Sequence, residues 1–342
     1  MSLDRVTVRA VDGAEYGEVF ATGRVTGPGP VDVAEVLGVL LGDTGAWPVR
    51  VQVFAAAGTE VVPAEGSDVV VYEQYPFAEP GAMVEVQAVT GVRPEPVGAG
   101  ALVVAASAGS RFTCSVTRPA GRTLAEQAVD AFATVESALA SAGMRPTQIT
   151  RTWYFIDDIE RAYEDFNVVR NRFFDRWGVV DFPASTGIGG RPAGSRLAVV
   201  VEAHGGVEAV GRVESTMQCP PVRYGPRFAR ANTLSHNGNQ LLNVSGISSI
   251  DASGRSLDCS IETAVDYTMR SFADLLAAGG VNHGDIVSAY VYCKNSVVRK
   301  EFERYLDTRG LDFPYVLNHV DVCRPELPFE IEAKAIRPAV LG

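Results

Sequence analysis

The run Phe329-Glu330-Ile331-Glu332-Ala333 carries two carboxylates two residues apart. Side chains alternate across a β-strand, so Glu330 and Glu332 share one face while Phe329, Ile331 and Ala333 take the other. A carboxyl partly desolvated among Leu327, Phe329 and Ile331 is expected to have a raised pKa and to hold a proton near neutral pH. Such a group is a general acid, and its conjugate base can take a proton back.

An internal repeat sets the two glutamates apart. Residues 128–155 (AVDAFATVESALASAGMRPTQITRTWYF) run parallel to 264–292 (AVDYTMRSFADLLAAGGVNHGDIVSAYVY). Phe132, Val135 and Leu139 in one copy, and Val265, Met269, Phe272 and Leu276 in the other, fall at helical spacings. Each helix is expected to stop at a cap glycine, Gly143 or Gly279. A β-rich run follows, then a second helix, a Phe-Pro pair (Phe182-Pro183, Phe313-Pro314) and a strand ending in RLAVVVEA or FEIEAKA. Hydrophobic strands, ALVVAAS and LLNVSG, precede the first helices. Matching the Glu-Ala ends puts Glu332 with Glu202 and Glu330 with Val200. A carboxylate facing an apolar twin is what one active site in a duplicated chain would leave. Arg151 likewise stands where the second copy has Ser288.

The order strand, helix, strand, helix, strand, strand predicts an α+β fold of tandem modules, each a mixed sheet with helices on one face. The expected division is 1–95 as an N-terminal segment of the first domain, 96–212 as one module and 213–342 as the second. MVEVQAVTG in the N-terminal segment resembles the repeat's last strand and hints at a degenerate third module.

GPRFARA, QLLNVSGISS, AAGGVNHGDIVSAYVYCKN and FEIEAKA make the second copy resemble the YjgF/RidA (chorismate mutase-like) family. RTWYF (151–155), YEDFNVVRNRFF (163–174), PASTGIGG (183–190), YGPRFARA (224–231) and DVCRPELPFEIEA (321–333) together resemble the chorismatases. That resemblance implies a cofactor-free, metal-free enzyme of secondary metabolism. It would release pyruvate from chorismate and leave a dihydroxycyclohexadiene acid or a hydroxybenzoate.

On this resemblance Glu330 falls on the chorismatase acid, and Arg151 and Arg304 on positions that look like the arginines for the substrate's two carboxylates. Cys323, placed on a strand preceding Glu330, and Gly246 of VSGIS resemble the 3-hydroxybenzoate-forming type. Tyr224 of YGPR either caps the pocket or packs. This chain has RTWYF where chorismatases read RTWNY, and SSIDASGRSLD where they carry a His-containing loop. Part of the pocket rim therefore differs.

Two other readings compete: a YjgF/RidA-like imine or enamine deaminase, and a non-catalytic small-molecule-binding protein. The deaminase's carboxylate-binding arginine is missing at Ser185 and Leu317. The net charge of −11 argues against a nucleic-acid partner and requires any anion-binding arginines to be concentrated locally. Five scattered cysteines without a CxxC pair suggest neither a disulfide framework nor a zinc site. No apolar run reaches the roughly 18–20 residues of a membrane span, and no signal-peptide core opens the chain, so a cytoplasmic protein, monomer or homo-oligomer, is expected.

Overall fold

The computed structural model describes residues 2–27, 29–64, 69–74, 81–107, 109–192, 194–207 and 209–339. The N-terminal stretch contains β1 (Ser2–Val11), β2 (Gly17–Thr26), β3 (Val31–Asp32), α1 (Val33–Leu41), β4 (Trp47–Ala56), β5 (Val61–Val62), β6 (Val69–Gln74) and β7 (Ala82–Thr90). Next come β8 (Glu95–Gly98), β9 (Ala101–Val104), β10 (Arg111–Val116), α2 (Leu124–Ser141), β11 (Ile149–Ile156), α3 (Ile159–Trp177), β12 (Ala184–Gly189), β13 (Arg191–Pro192) and β14 (Leu197–His204). The last stretch holds β15 (Gly211–Val213), β16 (Ala231–His236), β17 (Asn239–Ser248), α4 (Ile261–Ala278), β18 (Ile286–Cys293), α5 (Ser296–Arg309), β19 (Val316–His319) and β20 (Phe329–Pro338).

Three mixed sheets share one strand order: β1-β2-β7-β4-β6, β9-β10-β14-β11-β12 and β16-β17-β20-β18-β19. In each, the last pair is parallel and the others antiparallel. The first sheet thus repeats the topology with α1 alone on its face among the described residues, where the others carry two helices. Short strands β13, β8 and β15 complete the edges, and β13 leaves the second repeat to pair with β6 of the first.

Each sheet buries one face under its own helices. The opposite faces meet one another, joining Phe54 and Tyr72, Trp153 and Phe155, and Tyr290 and Tyr292 in one shared core. The central strands are therefore buried on both faces, which explains runs such as LAVVV in β14. At the centre of the three sheets, Glu202 accepts from Arg50 (3.1 Å), Arg111 (3.3 Å) and Lys334 (2.5 Å), one cation from each sheet. A buried carboxylate is tolerated there because it is fully paired.

Two details of the repeat differ from expectation. Gly143 (φ 68°) corresponds to Gly280 (φ 73°), because both close the same backbone turn; Gly279 is right-handed and caps its helix. ALVVAAS supplies β9, and the strand that leads into α2, matching LLNVSG of β17, is β10.

Candidate active site

β20 runs through the middle of its sheet, between β17 and β18. Its alternation sends Phe329, Ile331, Ala333 and Ala335 into the core beneath α4 and α5. Glu330, Glu332 and Lys334 point the other way, toward the neighbouring sheets. Phe329 and Ile331 therefore do not desolvate Glu330, as the sequence had suggested; the opposing repeat does.

Strand register also revises the twin positions. Just past a bulge in each central strand, Arg50, Arg151 and Ser288 face Gln87, Glu202 and Lys334. Counting back along the strands, Glu332 corresponds to Val200 and Glu85, and Glu330 to Ala198 and Met83. Glu202 is the counterpart of Lys334, not of Glu332; matching the Glu-Ala ends had slipped the register by two residues. Glu330 is still the carboxylate whose two twins are both apolar.

Glu332 is fully engaged. It accepts from Trp153 Nε1 (2.8 Å) and Tyr292 OH (2.9 Å), and also from Thr186 and the Arg151 guanidinium. Glu330 is only 4% exposed, and no hydrogen bond to its carboxyl is found among the described residues. Burial pushes its pKa up to about 8, with the charges of Arg230 and Arg151 opposing the rise. This is a carboxyl that carries its proton at neutral pH.

Glu330 sits at the floor of a cleft of about 670 Å³ between the second and third repeats. One wall is α3 with β12: Tyr163, Asn167, Asn171, Ser185 and Gly187. The other is formed by Tyr224 and Arg230, by Gly246 and Ser248 of β17, and by Cys323 and Arg324. Backbone contacts hold the two walls together, including Ala229 N to Pro183 O (3.0 Å) and Gly189 N to Asp321 O (2.8 Å). A bulge in β17 between Val244 and Ile247 lifts Gly246 to the floor, where its N–H donates to Thr186 Oγ1 (3.0 Å).

Of the residues singled out in the sequence, Glu330, Cys323, Gly246 and Tyr224 come together in this cleft. Cys323 lies in the irregular segment between β19 and β20, not on a strand of a hairpin. Burial, and the nearby Glu330, raise its pKa to about 12, so it is a neutral thiol. Arg151 is buried behind the floor, bound to Glu332 and donating to Thr186 Oγ1 (2.7 Å). Arg304 does not reach the site. It stands half-exposed on α5, paired with Glu262 (2.9 Å) and Glu301 (2.6 Å), because its helical position faces away from the sheet.

Three arginines line the cleft: Arg161, exposed and 3.5 Å from Asp158, and Arg230 and Arg324. Arg230 donates to Cys219 O (3.2 Å) and Tyr224 OH (2.8 Å). Arg324 donates to Gly254 O (3.1 Å) and Ser256 Oγ (3.0 Å), with its guanidinium 5.2 Å from the Tyr224 ring centre. These partners are neutral, which leaves both charges available to an anion. Both residues lie inside motifs quoted from the sequence, YGPRFARA and DVCRPELPFEIEA.

A second cleft, about 520 Å³, opens between α5 and β7 and has Met83 where this one has Glu330. It lacks an acid at that place.

Residues 90–203 match the family described as "Chorismatase FkbO/Hyg5-like, N-terminal". A chorismatase crystal structure is similar over 98% of this chain and 99% of its own, with a TM-score of 0.69 and 20% identity. A putative endoribonuclease from Thermotoga maritima (TM-score 0.31, 20% identity) and yeast Mmf1 (0.32, 15%) cover 37% and 38% of this chain, and 98% and 99% of their own. No curated protein sequence matches the chain. Residues 90–203 are thus similar to the N-terminal part of the FkbO/Hyg5-like chorismatases, and the chain as a whole has the fold of the chorismatase crystal structure.

Proposed function

We propose that this protein is a pyruvate-releasing chorismatase with a hydroxybenzoate product, 3-hydroxybenzoate being favoured. The observation that carries the reading is Glu330, a protonated carboxyl without a hydrogen-bond partner among the described residues, at the floor of a cleft that also holds Arg230 and Arg324. Residues 1–95, 96–212 and 213–342 are read as its three repeats.

Glu330 gives its proton to the methylene carbon of the enolpyruvyl ether, and the positive charge moves to the ether-bearing carbon as an oxocarbenium ion. Attack by water there gives pyruvate and a cyclohexadiene diol. Displacement by the neighbouring ring hydroxyl instead gives pyruvate and an arene-oxide-like species that rearranges to hydroxybenzoate, with no water consumed. In either case the Glu330 carboxylate recovers a proton, from the attacking water or from the ring. Arg230 and Arg324 hold a substrate carboxylate against the protein's net negative field. Cys323, a neutral thiol beside Glu330, favours the route without water. The partner is then a small dicarboxylate, and the setting is cytoplasmic secondary metabolism.

Incubating the purified protein with chorismate, with pyruvate followed by coupled reduction and the ring product by mass, tests the reading. Pyruvate with a hydroxybenzoate mass supports it. Chorismate left intact overturns it.

A further inference from the structure

Arg170 of α3 is fully buried, and among the described residues none of its three guanidinium nitrogens has a hydrogen-bond partner. The group lies over the rings of Tyr154 (5.6 Å) and Phe166 (5.9 Å), which offer only their faces. Other fully buried arginines are treated differently: Arg50 and Arg111 bind Glu202, and Arg151 binds Glu332. A guanidinium cannot shed its proton to escape burial, so an unmatched one is a standing cost.

Its surroundings point at the cleft. Asn167 and Asn171, one turn before Arg170 and one residue after it, line the cleft, with their Oδ1 atoms unpartnered among the described residues. Tyr163, two turns earlier on the same helix face, also lines the cleft, with its ring packed over Gly187, where a Cβ would stand 2.7 Å from it. Burial raises the Tyr163 phenol pKa, and the charge of Arg170 opposes the rise, so the two groups are neighbours.

We propose that Arg170, with Asn167 and Asn171, is a second anion subsite in the α3 wall, taking one carboxylate of a cyclic dicarboxylate while Arg230 and Arg324 take the other. Access requires the Tyr163 ring to turn off Gly187. The inference deepens the chorismatase reading and rests on it for the substrate's identity, but the binding itself can be tested with simpler ligands.

The experiment is calorimetric titration of the full chain with isophthalate, which has two ring carboxylates, and with benzoate, which has one. Wild type is expected to bind isophthalate at least about tenfold more tightly, as an additional charge-assisted pair would give. Arg170→Met should remove most of that preference, leave benzoate affinity within about twofold, and keep or raise Tm because an unmatched buried charge is gone. Should Arg170→Met fail to fold, Asn167→Asp replaces it as the test. A carboxylate built in beside Arg170 should raise Tm and exclude isophthalate, but not benzoate. The proposal is overturned if wild type does not distinguish the two acids, if Arg170→Met keeps the preference or loses both ligands equally, or if Asn167→Asp leaves isophthalate binding intact. Isophthalate preference without pyruvate release from chorismate would sink the chorismatase reading and leave the subsite standing.

Discussion

The carboxylate of Glu330 occupies the space directly over Gly246: a Cβ on that glycine would stand 2.0 Å from Glu330 Oε1 and 3.2 Å from Thr186 Cγ2. Gly246 is not in a left-handed conformation, so its backbone admits alanine, and the whole effect of the substitution falls on the acid. Gly246→Ala should displace the Glu330 carboxyl and lower pyruvate release by about tenfold or more, within the range of general-acid losses. Tm should change little. Pyruvate kinetics and a thermal melt on the same preparation decide it.

Glu330→Gln keeps shape and polarity but cannot deliver the proton, and should cost about 10²–10⁴-fold in rate. The wild-type rate should hold below pH 8 and fall above it, since the folded pKa is about 8. Stability follows the same titration. A carboxyl raised from 4.5 contributes stability that is fully present below 4.5 and lost as pH rises through about 8. Glu330→Gln escapes that loss. Its Tm should match wild type near pH 4.5 and exceed it increasingly as pH rises toward 8 and beyond. A Tm difference that stays flat with pH contradicts the assignment.

Arg230→Gln and Arg324→Gln should each raise KM for chorismate by about tenfold or more, roughly the worth of a charge-assisted hydrogen bond. Arg304→Ala, on the outer face of α5, should leave KM within about twofold. Steady-state kinetics on the three variants separate the cleft arginines from the surface one.

Cys323→Ala should keep pyruvate release measurable and move the ring product toward the diol. The removed thiol leaves space beside Glu330 that water can enter. Product masses read this out directly, and an unchanged product ratio returns Cys323 to a packing role.

His204 and His236 stack edge-on 4.8 Å apart. Burial first, and for His204 also His236 and Lys334, hold the His204 pKa well below 6.5 and lower that of His236. Depressed histidines contribute stability that is present above pH 6.5 and lost as pH falls below it. In a Glu330→Gln background, which removes the opposing Glu330 titration, the urea midpoint should drop between pH 7 and pH 5. Adding His204→Gln should flatten that drop.

The repeat was readable because cap glycines, the helical spacings of Phe132, Val135 and Leu139, and alternation in FEIEA each report on a local element. Alternation likewise puts Glu330 on the inner face. What sequence spacing could not give was the pairing between elements. The Glu-Ala endings of β14 and β20 look alike, yet ladder register, fixed by a bulge after Ile149 and one after Ile286, pairs Glu202 with Lys334. Arg304 was misplaced for a related reason: a helix arginine's direction depends on which face the sheet covers. Arg230, Arg324 and Arg170 all sit inside motifs that stand out in the sequence, but a motif does not show which of its arginines reaches the cleft and which meets a carboxylate first.

Glu202 receives one cation from each of the three sheets, an arrangement that threefold symmetry could not produce. In an assembly of three identical subunits every substitution is written three times, and a lone carboxylate on the axis has no place. Within one polypeptide each repeat is free to drift. The sheets also meet at a local concentration set by their linkers, so the assembled core does not depend on how much protein the cell makes. That freedom allows one cleft to hold an acid at the position where its sister holds Met83.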